Sequence, residues 1–302
     1  MIQLLETTLR EASPLLYVAL GATIAYRAGI YHLGVEGLML VGAFCGVAAE
    51  IRLGSIVAAL LVAVAVCAAL SVLFWLLITA LRANPIIVGI GLSTFCLGAT
   101  SYALETMFGS AGSVSTERGL PHPISSASHG IEGVLSGLSI LVWLAPLAVA
   151  LTWVLLCRTR FGLSISAVGA HPFAARAAGL SPGTIRLLGL VVCGGLCAIG
   201  GADFALGNLQ LFSENMTNGR GYIAFAAVLL ARGNPIAVGV TCVFFGLADA
   251  LAVQTQIWGT GGIPPDFVLM LPFVLTILAV WLTGLLGRRG RRASAGFLEL
   301  RQ

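Results

Sequence analysis

A chain of 302 residues that is 58% hydrophobic and 9% charged, with a mean hydropathy of +1.01, lies far from the soluble average, in which about a quarter of residues carry charge. Its 16 basic residues are all arginine, so the formal net charge of +4 is a matter of membrane topology and not of nucleic-acid binding. Without lysine the chain cannot carry a G-x-x-x-x-G-K-S/T phosphate loop, and it has neither an H-E-x-x-H metal motif nor a recognisable serine nucleophile motif, so catalytic classes are left without a signature.

The first ten residues hold Glu6 and Arg10 and lack the basic start and short apolar core of a cleavable leader, so the first span is expected to direct insertion. Backbone groups in lipid must bond within their own segment, and no barrel-like alternation occurs, so the spans are expected to be helices. They are predicted over 12–27, 33–50, 54–81, 84–106 and 137–157, each near the length that crosses a hydrocarbon core. Residues 108–136, rich in Ser, Gly and Pro, form a predicted extracytoplasmic loop, and 158–183 a long cytoplasmic one. A sixth span is predicted over 183–206. Between Asn208 and Arg232 only GYIAFAAVLLA is apolar, which is too short for a full crossing and reads as a half-helix or re-entrant element. Spans at 235–255 and 266–287 and a basic tail at 288–302 complete an all-α transmembrane domain occupying 1–302, with eight full crossings and one broken one. Arg158, Arg160, Arg176 and Arg186 in the long loop, with Arg288, Arg289, Arg291, Arg292 and Arg301 in the tail, place both regions in the cytoplasm and the N-terminus outside. Arg52 and Arg118 fall on the opposite side as mild exceptions.

RANPIIVG at 82–89 returns as RGNPIAVG at 232–239, and each copy opens an apolar run from the same side. Asn84 and Asn234 suit helix caps before Pro85 and Pro235, a structural role that is the favoured reading; a repeat about an axis along the membrane normal is also how many conduits are built, with a path between the halves. Acids at membrane depth are costly and so are candidates for function. Glu36 and Asp249 are the two retained here, against the alternative that each makes an interhelical hydrogen bond. Glu105 and Asp203 are expected near outer helix ends, in contact with solvent. His32 and His171 are isolated and His122 and His129 sit in a polar loop, so no metal site is expected. Cys193 and Cys197, a turn apart, read as small packing residues.

In AVGAHPFAARAAGL, residues 167–180, His171 or its predecessor can cap, Pro172 can take the first helical position, and Gly179 permits a left-handed stop. The prediction is a short cytoplasmic helix between two glycine hinges, Gly169 and Gly179. Its alanines would let another protein pack closely and Arg176 offers a bidentate fork; a plain linker across the membrane surface fits the spacing as well.

YRAGIYHLGVEGLMLVGAF (26–44), ANPIIVGIGLSTFCLG (83–98), the run from Arg158 to Ala202 and NGRGYIAFAAVLLARGNPIAVGVTCVFFGLADAL (218–251) together resemble the permease subunits of ABC importers, in the branched-chain amino acid and simple-sugar permease family. Within it the likeness is to the shorter permease of nucleoside uptake systems. RAGIYHLGVEG carries Tyr31 and His32 where the opening motif of such subunits usually has Phe and Asn. The resemblance implies a type II importer-like bundle in the bacterial cytoplasmic membrane. It also implies that Gly169, His171, Pro172, Ala175, Arg176 and Gly179 belong to a coupling helix docked on a separate ATPase, and that the segment from Asn218 lines a path. The implied partners are a second permease subunit, a cytoplasmic ATP-binding subunit that holds ATP and Mg, and an extracytoplasmic solute-binding lipoprotein. The chain itself would bind no cofactor and catalyse nothing. A nucleoside or nucleobase is the expected solute, a simple sugar or flavin-like ligand the alternative. Glu36, Asn84, Asn234 and Asp249 are the candidates for the path, and an ion-coupled secondary transporter is the rival in a different class.

Overall fold

The computed structural model describes residues 2–109, 112–123 and 137–257, together with Val274. The chain runs through α1 (Ile2–Arg27), α2 (Val35–Leu53), α3 (Ile56–Ala80), α4 (Pro85–Phe108) and β1 (Ser113–Ser115), then α5 (Ile140–Arg158), α6 (Arg160–Ala170), α7 (Pro172–Ala177) and α8 (Pro182–Ala202). A π-helical segment (Asp203–Leu209) extends α8, followed by β2 (Leu211–Ser213), α9 (Arg220–Leu230) and α10 (Pro235–Ile257). Helices begin where side chains can take over the unbonded amides of a first turn. Ser55 accepts from the Ala58 amide, Asn84 from Ile86 at 2.9 Å, Thr159 from Gly162, and Asn234 from Ile236 at 3.1 Å.

Five of the described helices are long and apolar enough to cross a membrane: α3, α4, α5, α8 with its π extension, and α10. Of the eight crossings expected from sequence, five are thus matched by a described helix of sufficient length and apolarity. α1 and α2 are long enough, but α1 carries Glu6, Arg10, Glu11 and Arg27, and α2 carries Glu36, Glu50 and Arg52. These two helices hold the most interior positions, which frees them from having to be apolar toward lipid: Val18, Leu20, Ala22, Ile24, Leu38, Met39 and Val47 are all fully buried. α1 also starts ten residues earlier than the predicted first span. The predicted span 266–287 apart from Val274, the tail 288–302 and the polar stretch 124–136 lie outside the described residues.

Small residues let these central helices approach closely, as is usual where lipid supplies no hydrophobic drive for packing. A Cβ on Gly42 of α2 would stand 2.6 Å from the Ala198 Cα of α8, a separation no side chain tolerates. Cys193 and Cys197 are buried in α8 with free thiols, as packing residues should be. At one end of the bundle β1 and β2 pair antiparallel, Val114 opposite Phe212, and tie the chain after α4 to the chain after the π segment. There Glu50 bonds the Thr116 hydroxyl, and the Arg118 guanidinium donates to the Gly54 carbonyl at 2.6 Å. The sequence repeat has a structural counterpart at the other end. Arg82 and Arg232 both adopt left-handed backbone, with φ +49° and +52°, and each is followed by a capping Asn and a first-position Pro.

Candidate functional site

The helical path breaks between Leu209 and Arg220, and α9 restarts inside the protein with its first amides aimed at Glu36. That carboxylate, in the first turn of α2, accepts from the Thr217 hydroxyl at 2.6 Å and the Gly219 amide at 3.0 Å on one oxygen. Its other oxygen accepts from the Gly221 amide at 2.6 Å. Glu36 thus caps a helix from another element, placing negative charge where the helix dipole and orphan amides favour it. Only glycine fits at 221, since a Cβ would come within 2.6 Å of the Glu36 Cα. The adjoining Arg220 pairs with Glu11 of α1 and, at 3.4 Å, with Asp249 of α10, and its guanidinium lies 4.6 Å from the centre of the Phe204 ring. Two of the membrane-depth acids singled out from sequence, Glu36 and Asp249, therefore hold the two sides of the same broken helix.

A cavity of about 250 Å³ opens beside this clamp. Its wall includes Glu36, Gly37, Ser93, Thr94, Asn215, Asn218 and Tyr222, with Leu40 and Leu97 as apolar surface. Both oxygens of Glu36 are already bonded, and the rest of the described wall presents amides, hydroxyls and a phenol ring. Asn215 and Asn218 sit at φ +53° and +39°, a backbone state that asparagine enters more readily than most residues. The Ser93 hydroxyl accepts from the Gly37 amide at 3.3 Å and so fixes α4 against α2.

The other sequence candidates fall elsewhere. Asn84 and Asn234 are exposed, their amide oxygens committed to helix caps, and neither lines the cavity. Glu105 is exposed as expected. Asp203, expected in solvent, is fully buried: it accepts from Ser13 at 2.6 Å and Ser139 at 2.8 Å. The expectation failed because Asp203 is not a helix end; the helix continues as a π segment, which carries the carboxylate into the bundle. His32 is also fully buried, stacked 3.9 Å from Phe74, and among the described residues neither of its ring nitrogens has a hydrogen-bond partner. Tyr31 packs edge-on against Tyr26 and Phe225.

At the arginine-rich end α7 forms a single short helix. His171 stands at its N-terminal boundary without a side-chain cap, Pro172 takes the first position, and Ala175 is buried while Arg176 is exposed. The Leu180 amide bonds the Ala175 carbonyl and the Gly179 amide that of Arg176, both at 3.0 Å, a Schellman stop that needs the φ of +83° at Gly179. Gly169 is not a hinge. It lies within α6 against the Arg27 carbonyl, where any Cβ would collide, so its role is close approach. Sequence reasoning also passed over Phe173, which projects from α7 with 83% of its surface exposed. Arg220, Glu11, Ser93, Asn215 and Asn218 were missed as individual residues as well; the one available signal was an arginine inside a membrane-grade stretch, which requires a buried counter-charge.

Residues 4–280 match the family model described as branched-chain amino acid transport system / permease component. The chain is 32% identical to the guanosine ABC transporter permease protein NupQ of Bacillus subtilis, over 94% of this chain and 92% of that one. It is 35% identical to TsgC13 of Haloferax volcanii, a permease assigned provisionally to a glucose ABC transporter, over 84% and 78% of the two chains. Among solved structures, an inward-facing ABC transporter assigned provisionally to the metal-chelate type has the same fold. It aligns with a TM-score of 0.51 at 16% identity, covering 92% of this chain and 84% of that one.

Proposed function

We propose a role in transport from one premise: the chain belongs to the branched-chain amino acid transport system permease-component family, and is a multi-pass cytoplasmic-membrane subunit of an ABC importer, non-catalytic, with the ATPase on a separate chain. Its solute is a nucleoside or nucleobase, and the cavity beside α9 is a station on the path. The observation that carries this is the wall itself. Both oxygens of Glu36 are taken up by three donors and Arg220 is paired with two acids, so what remains on the wall for a solute is hydroxyls, two asparagine amides and the Tyr222 ring, which suit a polar, flat solute. The likeness to a guanosine permease supports the same class, and the likeness to a glucose permease makes a sugar the comparison to run.

The single domain spans 1–302, with 108–136 outside, facing a solute-binding lipoprotein, and 158–183 and the tail 288–302 inside. α7 is the contact for the ATP-binding subunit, which carries the ATP and Mg, and Phe173 and Arg176 are its large exposed side chains. A second permease subunit, a different chain, completes the path. An isolated ion-coupled carrier is the rival, but Glu36 and Asp249, the acids it would use, are engaged in holding α9. The test is to purify the tagged protein from its native membrane and reconstitute what accompanies it. The reading expects an ATPase subunit in the preparation, and ATP-dependent accumulation of guanosine that excess glucose does not compete away. Recovery of the chain alone, with ion-driven uptake, would sink it.

A further inference from the structure

We propose that Arg27 is the positioning residue that links the α6–α7 arm to the broken-helix element beside the cavity, an inference that rests on reading the cavity as the path. Arg27 ends α1 and is engaged on two sides. Its backbone carbonyl abuts Gly169 of α6, and a Cβ on Gly29, at φ +78°, would stand 3.1 Å from the Gly169 Cα. Two glycines therefore bring the α6 backbone onto the 27–29 backbone with no side chain between them to absorb a displacement. On the other side the Arg27 Nε donates to the Gly233 carbonyl at 2.9 Å.

Gly233 is not a free loop residue. Its amide bonds the Val228 carbonyl at 3.0 Å and the Arg232 amide that of Leu229 at 3.2 Å, so the turn is locked to the last turn of α9. With φ +69° it also lies flat on Tyr26, where a Cβ would come within 2.7 Å of the ring. Eleven hydrogen-bonded residues make α9 a stiff rod of about 16 Å at 1.5 Å per residue. Its far end carries Gly219, Gly221 and Tyr222, the residues held by Glu36 or facing the cavity. A displacement of α7 thus has a continuous route: α6, the Gly169 contact, Arg27, Gly233, α9, cavity wall. Arg186 adds a brace by donating to the Ala28 carbonyl at 3.2 Å, which ties the start of α8 to the same node. Because Arg27 binds α9 through one side-chain donor and an uncharged acceptor, removing the donor uncouples the rod without stranding a buried charge.

The experiment compares wild type, Arg27→Ala and Arg27→Lys in the complete reconstituted complex, reading guanosine uptake and ATP hydrolysis in the same vesicles. Arg27→Ala should lower uptake per ATP about tenfold, the scale of a typical coupling free energy, and Arg27→Lys, which keeps a donor on a long stem, should recover most of it. A merely destabilised complex would lose both rates in proportion, so a proportional loss, or an unchanged ratio, overturns the proposal. Amide hydrogen exchange over 220–233, with and without ATP, reads the link even if guanosine is not the solute. The ATP-dependent change should be present in wild type and absent in Arg27→Ala, and an equal change in both overturns the proposal. If instead the wild-type complex moves no solute while its exchange behaves as expected, the functional reading fails and the Arg27 link stands.

Discussion

At the scale of single residues, Glu36 shows why a membrane-depth acid need not be a proton carrier. Its carboxylate is acceptor-only and meets three donors, an arrangement that glutamine cannot reproduce, because the amide NH₂ would face either the Gly221 amide or the Thr217 and Gly219 donors. Glu36→Gln should therefore lower the unfolding temperature of the purified protein, at a cost of about 1–3 kcal/mol for a buried donor left unpaired. Uptake should fall with it and should not depend on an imposed proton gradient in the wild type. An unchanged melting curve combined with gradient-dependent wild-type uptake would return Glu36 to the role of a coupling acid.

At the scale of elements, the exposed face of α7 makes a separate prediction. Phe173 contributes nothing to the core of this chain, so Phe173→Glu should leave insertion and thermal unfolding unchanged. It should weaken retention of the ATPase subunit during purification by about tenfold or more, as expected for an aromatic anchor at an interface. Full retention would move the contact away from this helix. The same short helix shows what a sequence can reveal: Pro172 and Gly179 act through backbone chemistry local to a few residues, so its start and stop were readable without a fold. The Asn–Pro starts of α4 and α10 and the break before α9 were readable for the same reason. Gly169 and Asp203 were misread because what defines them is distant in sequence: the Arg27 carbonyl for one, the Ser13 and Ser139 hydroxyls for the other. The cavity wall was the least legible part, since Ser93, Asn215 and Tyr222 share no motif and meet only after α4 and α9 pack around Glu36.

At the scale of the whole molecule, the two most charged long helices are the innermost, and the apolar ones surround them. That arrangement hides α1 and α2 from a hydropathy reading and sets Glu36 and Glu50 inside an otherwise largely apolar core. Its arginine-rich end joins the α7 arm to the repeat turn at Gly233, and its other end is closed by the β1–β2 ladder and the Arg118 bond to Gly54. On the proposed reading an uncharged nucleoside passes the wall at Tyr222. That reading is tested most directly by the concentration dependence of ATP-driven guanosine uptake in reconstituted complexes carrying Tyr222→Leu, which keeps bulk on a partly exposed site but removes the ring face. Half-saturation should rise about tenfold, the scale of losing one base–aromatic stack, with thermal unfolding unchanged. Wild-type uptake kinetics in that variant would contradict it.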